Sequence, residues 1–161
     1  MLSLKVLLVD DEPGILEQAE TFLEKENDRL DVETVFSASE ALKKLRENCY
    51  DAIVSDYQMP EMDGLDFLEK IRKDRESDIP FIIFTGKGRE EVAIEALNMG
   101  ANHYLQKGGD PRSQYGTLAH VIVQEVERHR TERALEESEM KYRRLVETTQ
   151  EAIFVQDTDG K

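Results

Sequence analysis

Asp10, Asp11, Asp56, Thr85 and Lys107 are residues whose types could do chemistry together. Three carboxylates that share one crevice repel and raise one another's pKa unless a cation lies between them. Carboxylate oxygens are hard donors and suit Mg²⁺ far better than a softer metal. A lysine ammonium adds a compact positive charge for an incoming anion, and a threonine hydroxyl can donate to an anionic oxygen. Carboxylate, Mg²⁺, lysine and hydroxyl are together the groups needed to move a phosphoryl group onto an aspartate. Asp56 is the pointed case. It follows the apolar run Ala52-Ile53-Val54, and a carboxylate at the end of a core strand is costly unless something pairs with it. The strand ends on a charge because that charge is the working group, with metal and Lys107 offsetting its cost.

Such a crevice needs elements that bring distant positions together. Val6 to Val9, Val32 to Phe36, Ala52 to Ser55, Pro80 to Phe84 and Asn102 to Leu105 read as five short strands. Helical periodicity separates them, with Pro13 placed as a first helical residue and Ser37 to Glu40 as a capping box. Gly64 to Lys73 reads as one helix, and Arg89 to Met99 as another ended by Gly100 in a left-handed cap. Alternation of strand and helix indicates a parallel sheet covered on both faces, which the unbroken apolar runs require. The expected fold class is α/β, a flavodoxin-like doubly wound five-stranded parallel sheet of order 2-1-3-4-5 with a long C-terminal helix. All five residues then stand at the carboxyl ends of strands, bordering the crevice where the winding reverses.

Composition narrows the partners. The chain has 161 residues, 39% hydrophobic and 35% charged, with a net charge of −14. A polyanion of this kind is expected to bind neither nucleic acid nor an anionic membrane surface. A single cysteine, Cys49, excludes an internal disulfide framework. His103, His120 and His129 form no ligand cluster. The N-terminal apolar run is too short for a signal peptide or a membrane span, so a cytoplasmic location is expected.

Aspartates after strands are common turn and cap residues, and any one of the five alone would say little. The weight lies in every strand end around one crevice carrying compatible chemistry. A Mg²⁺-dependent aspartyl phosphohydrolase is a competing class, but it needs a second Asp two residues after a nucleophile on the first strand, and Asp10-Asp11-Glu12 lacks that spacing. A domain of the same shape that only binds partners is the other alternative.

Leu8-Val-Asp-Asp-Glu-Pro13, Ser55-Asp-Tyr-Gln-Met-Pro-Glu-Met-Asp-Gly64, Thr85-Gly86 and Tyr104-Leu-Gln-Lys107 together resemble the chemotaxis-Y-like receiver domain of prokaryotic two-component response regulators, over residues 1–125. The resemblance implies that Asp56 accepts a phosphoryl group from the phosphohistidine of a histidine kinase or phosphotransfer domain. It implies Mg²⁺ held by Asp11, Asp56 and the main-chain carbonyl of Gln58, with Asp10 acting mainly through a metal-bound water. Lys107 would hold a phosphoryl oxygen, Thr85 and Tyr104 would form the switch pair, and Gln58 and Lys87 would tune the lifetime of the phosphoryl group. Such a domain catalyses its own phosphotransfer and slow dephosphorylation, and any kinase domain would lie beyond residue 161. The family usually places a proline after its lysine, whereas Gly108-Gly109 stands here. A non-proline cis bond costs about 2.5–4 kcal/mol, so a trans bond or a looser loop is expected, and Gly108→Pro is expected to lengthen the phosphoryl lifetime or speed phosphorylation provided the backbone there tolerates proline.

The last helix is expected to dock through Leu118, Ala119, Ile122, Val123 and Val126, then to continue over residues 126–148 as a helical signalling linker. Leu135, Ser138, Tyr142 and Leu145 follow heptad spacing, which points to a parallel homodimer. Residues 149–161 resemble the entry into a PAS domain, with a first strand at Ala152 to Gln156. A PAS or other output module in the same chain is the expected continuation.

Overall fold

The computed structural model describes residues 3–86 and 90–159, with 149–159 as backbone alone. Strands β1 (Leu4–Val9), β2 (Leu30–Val35), β3 (Ala52–Ser55), β4 (Phe81–Thr85) and β5 (His103–Gln106) alternate with helices α1 (Pro13–Glu26), α2 (Ala38–Glu47), α3 (Gly64–Glu69), α4 (Glu90–Asn98) and α5 (Pro111–Asp159). All neighbouring strands pair in parallel, and the order is β2-β1-β3-β4-β5. The expected α/β fold is the one observed.

Period-two side-chain alternation splits the apolar strands between two cores. Leu4, Val6 and Leu8 of β1 pack with Leu16, Ala19 and Leu23 of α1 and with Leu118 and Ile122 of α5. Leu7 and Val9 pack on the other side with Ala41, Leu68, Ile71 and Ala96 from the remaining helices. Tyr115, flanked in sequence by a glutamine and a glycine, is wholly buried between Phe22 at 5.6 Å and Phe84 at 5.9 Å.

The caps follow their residues. Ser37 accepts the Glu40 N–H at 3.1 Å, and the Glu40 carboxylate reaches back to the Phe36 N–H at 2.9 Å. Gly100 ends α4 at φ +106°, with the Ala101 N–H returning to the Ala96 carbonyl at 2.9 Å. The helix expected over Gly64 to Lys73 is not uniform, because α3 gives way to a π turn at Lys70–Asp74. That wider turn keeps Ile71 buried and brings the Arg72 guanidinium to the Gly100 carbonyl at 2.8 Å and the Ser77 carbonyl at 2.9 Å.

Internal contacts divide the chain after Val126. In the C-terminal unit, the backbone of residues 152–156, expected to be a strand, lies within α5. A strand with no neighbour leaves its backbone groups unpaired, and a helix pairs them within the segment. Leu135, Met140, Tyr142 and Leu145 are all exposed.

Candidate functional site

The register that builds the sheet also builds the site. Val9 pairs with Ser55, so Asp10 and Asp56 leave adjacent strands side by side, and the Asp56 N–H donates to the Val9 carbonyl at 2.9 Å. Thr85 is the last residue of β4, and its carbonyl accepts the Lys107 N–H at 2.7 Å just past β5. Loop bonds then aim the carboxylates. Asp10 Oδ1 accepts the Glu12 N–H at 3.0 Å, and Asp56 Oδ1 accepts the Tyr57 N–H at 2.8 Å.

Asp10, Asp11 and Asp56 each bring a carboxylate oxygen within 4.8 Å of the others, Asp11 exposed and the other two buried. Three hard oxygen donors around one point fit Mg²⁺. Lys107 Nζ lies 2.7 Å from Asp10 Oδ2 and 3.6 Å from Asp56 Oδ2. Burial pushes the Asp56 carboxyl above the ordinary range, opposed by the charge of Lys107 and a hydrogen bond from Thr85, while the charge of Asp10 adds to the rise. Burial alone would lower the Lys107 pKa, but the hydrogen bond and charge of Asp10, with the charges of Asp56 and Glu12, more than reverse it and leave it raised. The site therefore holds a lysine kept protonated beside an acid whose charge is under strain. That pairing suits binding of an anion at Asp56.

Gln58 is exposed and lines an open cleft of about 400 Å³ with Asp11, Tyr57, Met59, Pro60 and Asp63. Tyr104 is half-buried, registered against Ile83 of β4 and packed on the same core as Val92 of α4. Lys87 lies outside the described residues. No peptide bond among the described residues is cis, and Gly108 adopts φ +142° with its N–H donated to Gln114 Oε1.

Two contributors escaped sequence reasoning. Gly64 reads as a helix start, and Asp63 does cap α3 by accepting the Asp66 N–H at 2.9 Å. Yet a β-carbon on Gly64 would stand 2.5 Å from the Asp56 carbonyl oxygen. Glu61 takes φ +70°, with the Met62 N–H reaching the Pro60 carbonyl at 2.8 Å, a tight and strained three-residue turn in the same loop. The only available signal was the Pro and Gly spacing of the loop, which does not show which backbone atoms will meet.

The family described as the response regulator receiver domain matches residues 6–116. The response regulator Rre1 of Synechocystis is 36% identical over 76% of this chain and 53% of its own length. The response regulator SaeR of Staphylococcus epidermidis is 40% identical over 66% of this chain and 45% of its own. The chain thus spans about half the length of the curated relatives it matches. A crystal structure of a response regulator receiver domain protein from Clostridium thermocellum superimposes with a TM-score of 0.69 at 32% identity, covering 80% of this chain and 98% of that one.

Proposed function

The chain belongs to the response regulator receiver domain family, and from that membership we propose that it is the phosphoryl-accepting receiver of a two-component phosphorelay, with Asp56 as acceptor. The observation that carries the reading is Lys107 within 3.6 Å of Asp56 in a cluster with Asp10 and Asp11. Asp11, Asp56 and the Gln58 main-chain carbonyl would hold Mg²⁺, with Asp10 acting through a water, and the ion would supply the charge neutralisation that lets an anion approach. A carboxylate oxygen of Asp56 bonds to phosphorus as the phosphorus–nitrogen bond of a phosphohistidine breaks and its electron pair returns to the imidazole. Lys107 and the Thr85 hydroxyl take up the phosphoryl oxygens. Gln58 and Lys87 tune how long the product survives. The donor is a histidine kinase or phosphotransfer domain, and the setting is cytoplasmic; among the described residues no helix is long and apolar enough to cross a membrane.

Thr85 turning toward the phosphoryl group and Tyr104 moving inward form the switch. The output is a PAS or other module in the same chain, reached through α5. Exposed Leu135, Tyr142 and Leu145 support a parallel homodimer along that helix. Labelling by acetyl phosphate tests the acceptor, and sedimentation with and without beryllofluoride, on wild type and Leu135→Glu, tests the dimer. A protein monomeric at every concentration in both states would leave the helix a tether.

A further inference from the structure

Ser55 is completely buried, and its hydroxyl takes no part in the transfer proposed above. Oγ donates to the main-chain oxygen of Asp56 at 2.9 Å. Gly64 crowds that same oxygen, because a β-carbon there would meet it at 2.5 Å and the Tyr57 Cα at 3.0 Å. The Gly64 N–H in turn donates to the Tyr57 carbonyl at 2.7 Å. β3 ends at Ser55, and its register with β4 stops at the Ser55–Ile83 pair. The Asp56 carbonyl therefore lies beyond the paired region, and a buried carbonyl needs a partner. The serine hydroxyl supplies one. No rotamer change can relieve a clash at residue 64, since both atoms it would meet are backbone.

We propose that Ser55 and Gly64 are positioning residues that together fix the Asp56 peptide. They set the direction in which the chain leaves β3, and with it the aim of the Asp56 carboxylate and the Gln58 carbonyl at the metal. The proposal rests on the receiver reading above. A packing role alone would accept any small residue at 55, whereas this role requires a hydroxyl there and the absence of a β-carbon at 64.

Ser55→Ala, Ser55→Thr and Gly64→Ala separate these roles when three quantities are followed. The first is hydrogen exchange of the Gly64 amide in metal-free Ser55 variants, the second is affinity for Mg²⁺ alone by titration calorimetry, and the third is the rate of labelling by acetyl phosphate. Loss of one neutral hydrogen bond in Ser55→Ala is expected to speed Gly64 exchange about fivefold. Loss of groups that orient metal ligands is expected to weaken Mg²⁺ binding about tenfold in Ser55→Ala and Gly64→Ala, and Ser55→Thr is expected to restore it. Wild-type affinity and exchange in Ser55→Ala would overturn the proposal, and so would failure of Ser55→Thr to restore either. If Gly64→Ala does not fold, the Ser55 pair decides. A wild type that neither binds Mg²⁺ nor is labelled would overturn the receiver reading itself; a labelled wild type with indifferent variants would overturn the positioning role alone.

Discussion

Lys107 leans on Asp10, its Nζ 2.7 Å from Asp10 Oδ2 and farther, at 3.6 Å, from Asp56 Oδ2. One ammonium thus serves two carboxylates with little solvent around any of them, Asp10 at 4% and Asp56 at 9% side-chain exposure. A phosphoryl group on Asp56 would compete with Asp10 for that ammonium, so Lys107 can answer phosphorylation by shifting partners.

Removing the cation should therefore cost stability as well as activity. Lys107→Met leaves the buried Asp10 and Asp56 without their counter-charge, and the expected loss is on the order of 3 kcal/mol. Urea unfolding at neutral pH measures it. Saturating Mg²⁺ should recover part of the loss by supplying another cation, and a variant as stable as wild type would show that other groups hold the carboxylates.

Asp56→Asn should do the reverse. Burial raises the Asp56 pKa above 3.8, so the fold prefers the protonated acid. The contribution of this group to stability is then greatest at low pH, falls as pH rises from 3.8 to the folded pKa, and stays reduced above it. Asp56→Asn removes that slope and is expected to be more stable than wild type at pH 7 without metal, since Asp10 still holds Lys107. Mg²⁺ at a hundred times its dissociation constant should stabilise wild type by about 2.7 kcal/mol and the variant by far less. Thermal unfolding with and without MgCl₂ checks both statements.

Gly108→Pro is expected to harm the loop rather than tighten it. Proline holds φ near −65° and has no N–H, whereas Gly108 sits at φ +142° and donates to Gln114. The condition on which the sequence predicts a gain, a backbone that tolerates proline, is therefore not met. The variant should lose more than about 1 kcal/mol and accept phosphoryl groups more slowly, as stopped-flow labelling would show.

Away from the site, Tyr50 donates a hydrogen bond to Glu33, and Lys44 lies 3.4 Å from the same carboxylate. The Tyr50 bond chiefly lowers the Glu33 pKa below 4.5. Burial and then the bond to Glu33 raise the Tyr50 pKa well above 10.0. The depressed Glu33 contributes stability above pH 4.5 that is lost as pH falls through its folded pKa. The raised Tyr50 contributes stability below pH 10.0 that is lost as pH rises through its own. Tyr50→Phe should lower stability most between pH 4.5 and pH 10.0, the difference fading only as pH falls through the folded Glu33 pKa or rises through the folded Tyr50 pKa, a pattern read from denaturant midpoints across pH.

The strands were legible because doubly buried parallel strands need unbroken apolar runs, and Val6 to Val9 and Phe81 to Phe84 have them. The convergence of Asp10, Asp11, Asp56, Thr85 and Lys107 followed from placing each at a strand's carboxyl end, a property of topology rather than of local sequence. What stayed hidden depends on the path of loops and on distant contacts. Nothing near Lys70 announces a π turn whose Arg72 bonds to Gly100. Tyr115 sits between Gln114 and Gly116, outside the apolar stretch, and its burial follows from Phe22 and Phe84 reaching it from other elements. Gly64 serves the helix cap visibly and the Asp56 carbonyl invisibly.

The central claim is that Asp56 takes a phosphoryl group with the help of a divalent cation. Intact-mass spectrometry after incubation with acetyl phosphate and Mg²⁺, on wild type and Asp56→Asn, tests it most directly. One phosphoryl group on wild type, lost when EDTA replaces Mg²⁺ and absent from Asp56→Asn, is the predicted result; equal labelling of the two proteins, or none on wild type, would contradict it.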